Sequence, residues 1–135
     1  MPLVLQIIRA KEFIRVGPHG LLDLKASKAV LAQLAGGCRQ RGIQRALLDL
    51  RQVQVGPSSL LTSVELVKLV ETFHEIGFSQ EDQLAVLYAT DPHCGIGAFA
   101  FISNIQGWNV RAFDNYEEAL GWLALVMEVT QEEAG

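Results

Sequence analysis

Two adjacent hydroxyl groups, those of Ser58 and Ser59, follow a Gly-Pro pair at the end of a strand-like run and precede a segment with helical spacing. A serine at a helix N-cap accepts a hydrogen bond from a backbone N–H group, an interaction worth about 1 kcal/mol. A phosphate on the same serine would lie at the positive end of the helix dipole and would change the protruding surface. Both interpretations stay open from sequence. The candidate phosphorylation or partner-binding loop therefore comprises Ser58, Ser59, Leu60 and Leu61.

The segment DPHCGIGAFA contains the most reactive residue types in the chain. Cys94 near a helix N-terminus would favour the thiolate, and the adjacent His93 would be the base of a nucleophile and base pair. Neighbouring residues usually point in different directions, however, and the sequence shows no third group that would orient the histidine. We therefore predict no catalytic site here and no enzyme activity for the chain.

The same segment matches the G-x-G-x-x-A pattern of dinucleotide-binding proteins at Gly95, Gly97 and Ala100. That fingerprint begins directly after the first strand of the opening βαβ unit. Here the residues TDPHC intervene and the unit is the last in the chain, so we attribute the match to small residues that pack closely on a sheet. Backbone N–H groups at the helix start could still bind an anion. The candidate ligand or anion site comprises Cys94, Gly95, Gly97 and Phe101.

Metal and cofactor sites are not predicted. The histidines at 19, 74 and 93 are widely scattered, and Cys38 and Cys94 lack the spacing of metal ligands. Two distant cysteines suit a reducing compartment without a disulfide framework, so we predict two free thiols.

Length and composition predict one globular domain. The chain has 135 residues, of which 50% are hydrophobic, which is enough to bury a core and argues against disorder. No apolar run approaches the roughly 20 residues that a membrane-spanning helix needs, and MPLVLQIIRA lacks the features of a secretory signal. We expect a cytoplasmic protein with a domain over residues 1–130 and a frayed acidic tail over 131–135.

The charges are distributed unevenly along the chain. Residues 1–55 contain nine Lys/Arg and three Asp/Glu, whereas residues 56–135 contain two Lys/Arg and twelve Asp/Glu. Such asymmetry can mark a surface for nucleic acid or for an acidic partner, or it can reflect solvated faces that differ in sign. No aromatic residues are interleaved with the arginines as a stacking surface would need, so we predict no specific binding of nucleic acid.

The first half of the chain predicts a hairpin, a helix and a buried strand. The β-prone runs LVLQIIRA and EFIRVGPHG are separated by little more than a lysine, which favours an antiparallel hairpin. Helical spacing then begins, with Asp23 as N-cap and Gly42 as the stop. QRALLDLRQV has the continuous apolar centre typical of a strand in a parallel sheet.

The second half continues to alternate helices and strands. A helix that ends near Gly77 is predicted from the apolar stripe Leu60, Val64, Val67, Val70 and Phe73. QLAVLYAT and NVRAFD are predicted strands on either side of the apolar helix GIGAFAFISNIQG, and Asp114 and Glu117 have the spacing of a capping box for a last helix. The order β-β-α-β-α-β-α-β-α predicts an α/β domain with a mostly parallel sheet after the hairpin and helices covering it. We expect these residues in the core: Leu47, Leu48, Val86, Leu87, Val110 and Phe113.

Two segments resemble the STAS domains, the family typified by the bacterial anti-sigma factor antagonists. ALLDLRQVQVGPSSLLTSVELVKL resembles that family's third strand, phosphorylation loop and second helix, and NVRAFDNYEEALGWL is similar to its C-terminal strand and helix. The family usually has an acidic residue before the hydroxyls and a glycine after them, where this chain has Pro57 and Leu60. The resemblance is closest to the uncharacterised STAS-like branch, for which small apolar ligands have been suggested. It implies a STAS-like fold and a protein that is not an enzyme.

The first functional hypothesis is therefore a regulatory module that binds a protein partner through residues 56–61 and the face of the second helix. The alternative is a carrier or sensor of a small apolar, lipid-like or anionic ligand held between the second helix and the apolar third helix. Because that third helix is apolar almost all round, its second face must be covered by the protein itself, a homodimer mate or an apolar ligand.

Overall fold

The computed structural model describes residues 13–54 and 61–124. The first strand of the predicted hairpin, the predicted boundary of the domain at residue 130 and the acidic tail lie outside these ranges. The described residues form an α/β unit, as predicted, with a four-stranded, all-parallel sheet in the order β1-β2-β3-β4. The strands are β1 (Ile14–Val16), β2 (Arg45–Asp49), β3 (Gln83–Leu87) and β4 (Asn109–Phe113). The helices are α1 (Leu24–Arg41), α2 (Ser63–Glu71), the short α3 (Phe73–Ile76), α4 (Gly95–Ile105) and α5 (residues 116–124).

Helix α1 begins and ends where its sequence predicts. The Asp23 side chain accepts a hydrogen bond from Ala26 N at 2.8 Å, which pairs one of the backbone N–H groups left open at a helix start. Gly42 ends the helix in the left-handed conformation, with φ 65°, a region that glycine enters without steric cost. Both predicted caps are confirmed.

The strand order places three crossovers on one face of the sheet. Successive parallel strands are neighbours, and each connection between them is right-handed in nearly all proteins, so the connecting helices α1 to α4 pack on the same face. That layer contains the larger core cluster, in which Leu48, Val86 and Val110 of the sheet contact the helices. Residues Arg45–Asp49 and Gln83–Leu87 are all buried, as the continuous apolar runs of these strands predict.

The opposite face of the sheet is covered by α5. Leu47, Leu87 and Phe113 form a second core cluster with Ala119 and Leu123 of this helix. Alternate residues of a strand point to opposite faces, which is why Leu47 and Leu48 belong to different clusters. All six residues expected in the core are buried.

Helix α2 begins later than the serines predict. Thr62 is its N-cap: the hydroxyl accepts from Glu65 N at 3.1 Å, and the Glu65 carboxylate accepts from Thr62 N at 3.0 Å. This reciprocal pair is a capping box, so the prediction that Ser58 or Ser59 caps this helix is wrong. Those two residues lie outside the described ranges.

The buried stripe of α2 also differs from the predicted one. Val64, a member of the predicted apolar stripe, is 64% exposed, whereas Val70 of that stripe is buried. Leu66 and Leu69, which lie outside the predicted stripe, are buried as well. The helix packs on α1 and α4, and this packing sets its buried face. The left-handed Gly77, with φ 109°, does end the helical region.

Replacing Thr62 by alanine is expected to lower the free energy of unfolding by about 1 kcal/mol, because one bond of the capping box is lost and Glu65 N is left without its partner. Urea unfolding followed by circular dichroism measures the change. Ser63→Ala, at the first helical position, is the matched control and should unfold like the wild type. Equal stability of Thr62→Ala and the wild type would show that the box contributes nothing.

The last helix has a different cap from the predicted one. Asn115 Oδ1 accepts from Glu118 N at 3.0 Å, and the helix begins at residue 116. The predicted capping box of Asp114 and Glu117 is therefore wrong by one residue, because the amide side chain of Asn115 takes the acceptor role. None of the described helices is both long and apolar enough to cross a membrane.

Candidate functional site

A pocket of about 180 Å³ opens at the carboxyl ends of β2 and β3, between these strands and the helices α1, α2 and α4. Ligands of open α/β proteins usually bind at this edge, outside the carboxyl ends of the strands. The floor and walls are aliphatic or aromatic, and they include the buried side chains Leu31, Leu48, Leu66, Leu69, Val86 and Phe99. Such an interior can hold an apolar group away from water.

A small number of polar residues lies among these apolar walls. Ser27 comes from α1, Gln54 follows β2, and Thr90, Asp91 and His93 come from the loop between β3 and α4. Ligand pockets commonly combine apolar walls with a few polar groups that orient the ligand. The arrangement can therefore bind a small, mainly apolar molecule that carries one hydrogen-bonding group.

The N-terminus of α4 is already bonded to a carboxylate from the chain. Ile96 N donates to Asp91 Oδ1 and Gly97 N donates to Asp91 Oδ2, each at 3.0 Å. The backbone of the same loop closes a turn, since Cys94 N donates to Asp91 O at 3.1 Å. Two of the N–H groups that the sequence offers for an anion, those of Ile96 and Gly97, are thus paired with the Asp91 carboxylate.

The structure separates the residues of the predicted ligand or anion site. Gly95 lines the pocket, whereas Phe101 is 67% exposed on another face of α4. Cys94 is exposed at the start of the helix, with a left-handed φ of 57°. Gly97 contacts the Asp91 carboxylate through its N–H group. These residues share a helix but do not form one site.

The two cysteines differ in environment, and both are free thiols, as predicted. Burial raises the pKa of the Cys38 thiol to about 11, and the charge of Asp82 adds to this effect. Its Sγ lies 3.9 Å from the carbonyl oxygen of Arg45. Cys38 is therefore a core residue of α1 that stays protonated at neutral pH.

The predicted phosphorylation or partner-binding loop lies mostly outside the described residues. Its last residue, Leu61, is described and lines the pocket, as does Gln54 on the other side of the undescribed residues 55–60. The sequence interpretation of Ser58 and Ser59 as a partner-binding surface stays a prediction.

A buried carboxylate that the sequence analysis did not single out lies on the other face of the sheet. Asp49 Oδ2 is 2.6 Å from a guanidinium nitrogen of Arg15 and 2.8 Å from one of Arg51, and the Asp49 side chain is only 5% exposed. The hydrogen bonds from Arg51, helped by that from Arg15, hold the pKa of the Asp49 carboxyl well below its usual range despite its burial. Arg51 in turn lies over the ring of Tyr116, 5.4 Å from its centroid.

Internal contacts account for several arginines of the basic half of the chain. Arg15 and Arg51 bind Asp49, and Arg39 donates to Gly77 O at 2.7 Å. Arg45 is buried in β2. The absence of specific nucleic-acid binding stays a prediction.

The described residues offer no cluster of metal ligands. Over residues 13–54 and 61–124, no group of three or more His, Cys, Asp or Glu side chains is placed to hold a metal ion. The histidines do not come together: His93 lines the pocket, whereas His74 is on α3.

No family model, curated protein sequence or solved structure matches this chain. The resemblance to STAS domains accordingly stays a prediction that rests on two segments. The class that the fold defines is an α/β protein with a four-stranded parallel sheet and an apolar pocket at the carboxyl edge of that sheet.

The sequence contains a signal for the start of α2 and for the buried acid Asp49, but none for the distant partner of that acid. Thr62 and Glu65 match the Thr-x-x-Glu signature of a capping box, which identifies the true start of α2. An aspartate at the end of an apolar strand, as at Asp49, indicates a buried acid that needs a partner. Its partner Arg15 is 34 residues away, and no local pattern identifies it.

Proposed function

We propose that this protein is a non-catalytic carrier or sensor that binds a small apolar ligand in the pocket between α1, α2 and α4. The observation that carries the proposal is the pocket itself: about 180 Å³ of space with mainly apolar walls at the carboxyl edge of the sheet. Apolar walls that are open to water favour the binding of an apolar molecule, because binding removes their surface from water.

The size of the pocket limits the ligand. An apolar cavity of about 150 Å³ in another protein binds benzene, so this pocket suits a ligand of about one or two rings or a short acyl chain. The pocket also contacts three helices, so a ligand in it would tie together parts of the chain that are distant in sequence. This coupling is what a sensor requires, since a ligand stabilises the state that it binds.

Indole is expected to bind to the wild type with a dissociation constant of about 1 mM or lower, which corresponds to about −4 kcal/mol for a molecule of this size. The measurement is a titration followed by backbone amide NMR shifts. The shifts should concentrate on residues that line the pocket, such as Leu48, Leu66 and Phe99.

The matched variants are two leucine substitutions on the same helix. Ser27→Leu places a larger side chain into the pocket and should weaken indole binding by roughly tenfold or more, because the ligand loses the space it needs. Ala29→Leu adds the same side chain at an exposed position of α1 and should bind like the wild type. Shifts that spread over the surface, or equal binding by the two variants, would contradict the proposal.

A second candidate is a regulatory module that binds a protein partner, and we propose it as the alternative because α4 exposes apolar side chains. Phe101 is 67% exposed and Ile105 is 69% exposed, and Val64 of α2 is 64% exposed. Exposed apolar residues of this size favour an interaction surface when they are contiguous. Native mass spectrometry of the purified protein discriminates between the candidates: a co-purified small molecule supports the carrier, and its repeated absence favours the partner module.

A further inference from the structure

The described lining of the pocket contains an acidic side chain but no lysine or arginine. Among the described lining residues, Asp91 is the one acidic side chain, His93 is the one histidine, and neither lysine nor arginine is present. Along the described lining, an anionic ligand would therefore meet a carboxylate without an arginine or lysine to balance its charge.

The Asp91 carboxylate weakens the attraction of the α4 N-terminus for an anion. A helix N-terminus attracts anions through its open N–H groups and its dipole. Here two of the N–H groups at the helix start, those of Ile96 and Gly97, donate to the carboxylate of Asp91 at 3.0 Å. Asp91 thus acts twice against an anionic ligand, because it adds a negative charge and occupies two of the donors that such a ligand would use.

We infer that the pocket selects an uncharged ligand, about one ring in size with one polar group, and that Asp91 is the residue that excludes anions. The inference rests on the proposed function and narrows it, since it removes the anionic ligands that the sequence leaves open. A neutral polar group can still accept or donate a hydrogen bond at Thr90 or Gln54, which lie on the same lining. Like charges repel each other, and the repulsion is stronger beside apolar walls than in bulk water.

Three planar molecules of nearly equal shape test the inference: benzamide is neutral, benzoate is anionic and benzamidinium is cationic. Each is titrated into the full chain, and amide NMR shifts report both the affinity and the location. Benzamide is expected to bind at least roughly tenfold more tightly than benzoate, because the anion is repelled by Asp91 and loses its hydration. Benzamidinium should lie between the two, because Asp91 partly offsets the cost of burying its charge.

The variant Asp91→Asn tests whether the Asp91 carboxylate causes the exclusion of anions. The amide has the same shape, but it carries no charge, and its nitrogen cannot accept from the helix, so one backbone N–H group becomes available to a ligand. The ratio of benzamide to benzoate affinity should fall toward one in this variant.

Asp82→Asn is the matched control. The Asp82 carboxylate also accepts a backbone hydrogen bond, from Ser79 N at 3.0 Å, but it lies just before β3, at the opposite edge of the sheet. This variant should keep the discrimination of the wild type.

The outcomes separate the inference from the proposed function. If none of the three molecules shifts the amides that line the pocket, the proposed function is wrong and the inference is wrong with it. If benzamide binds in the pocket and benzoate binds equally well, only the inference is overturned. If benzoate is excluded but Asp91→Asn leaves the ratio unchanged, the apolar walls exclude charge and the role assigned to Asp91 is wrong.

Discussion

Phe73→Ala is expected to lower the free energy of unfolding by about 3 to 5 kcal/mol. Phe73 is 1% exposed at the start of α3, and its ring lies 5.2 Å from that of Phe78, 5.8 Å from that of Phe99 and 5.3 Å from that of Trp108, measured between ring centroids. The substitution removes a large apolar side chain and leaves a cavity whose walls come from different elements. Those walls cannot collapse together easily, so the cost should lie well above that of a surface change.

Phe101→Ala is the control for this prediction, because it makes the same chemical change at a side chain that is 67% exposed. Its effect should stay within about 0.5 kcal/mol, as for most surface substitutions. Both variants are measured by urea unfolding with circular dichroism and tryptophan fluorescence. Equal losses of stability in the two variants would contradict the packing of the four rings around Phe73.

Asp49→Asn is expected to lower the free energy of unfolding at pH 7 by about 2 kcal/mol, a value that allows for solvent screening of the two partly exposed arginines. The amide keeps the shape of the carboxyl group but not its charge. It therefore loses the charge-assisted hydrogen bonds from Arg15 and Arg51, which lie 2.6 to 2.9 Å from the Asp49 oxygens.

The same residue predicts a dependence of stability on acid pH. The pKa of Asp49 is lowered in the folded protein, chiefly by hydrogen bonds from Arg51. Its stabilising contribution is therefore complete above the unfolded-state pKa of about 3.9 and is lost as the pH falls below that value toward the folded-state pKa. In this window the unfolded chain binds a proton that the folded protein does not bind.

Urea unfolding midpoints measure this contribution. They are determined at roughly five pH values between pH 5 and pH 2.5, a range that includes the unfolded-state pKa. The wild type should lose more stability over this range than Asp49→Asn, which has no carboxyl group at this position to titrate. Asp114→Asn, an exposed position after β4, is the control and should follow the wild type. Parallel profiles for the wild type and Asp49→Asn would show that the two arginines do not hold the carboxylate as described.

Element type was predictable from sequence where the signal is local. The continuous apolar runs of β2 and β3 predicted buried parallel strands, and Asp23 and Gly42 predicted both ends of α1. Where two local signals for the start of one helix competed, the interpretation of the serines as its cap was wrong. Ser58 and Ser59 follow a proline and resemble a helix start, but Thr62 with Glu65 forms the reciprocal capping box and begins α2.

The candidate site was predictable only in part, because local signals do not show which side chains meet in the folded protein. The sequence singled out residues 94–101 and the loop that ends at Leu61, and both segments reach the same pocket. It did not indicate that Asp91 would occupy the anion position at the start of α4, because an aspartate before a helix can accept from several N–H groups or from none. Nor did it indicate that Phe99 would be buried and Phe101 exposed, since both belong to a helix that is apolar almost all round.

Within the described residues, the sequence by itself determined the alternation of strands and longer helices, because the periods of 2 and 3.6 residues are set by near neighbours along the chain. The tertiary structure decided what those elements bring together. Arg15 meets Asp49 across 34 residues because β1 and β2 are adjacent in the sheet, and α1, α2 and α4 enclose one pocket because right-handed crossovers place them on one face. Such contacts depend on the packing of whole elements, and no short stretch of sequence specifies them.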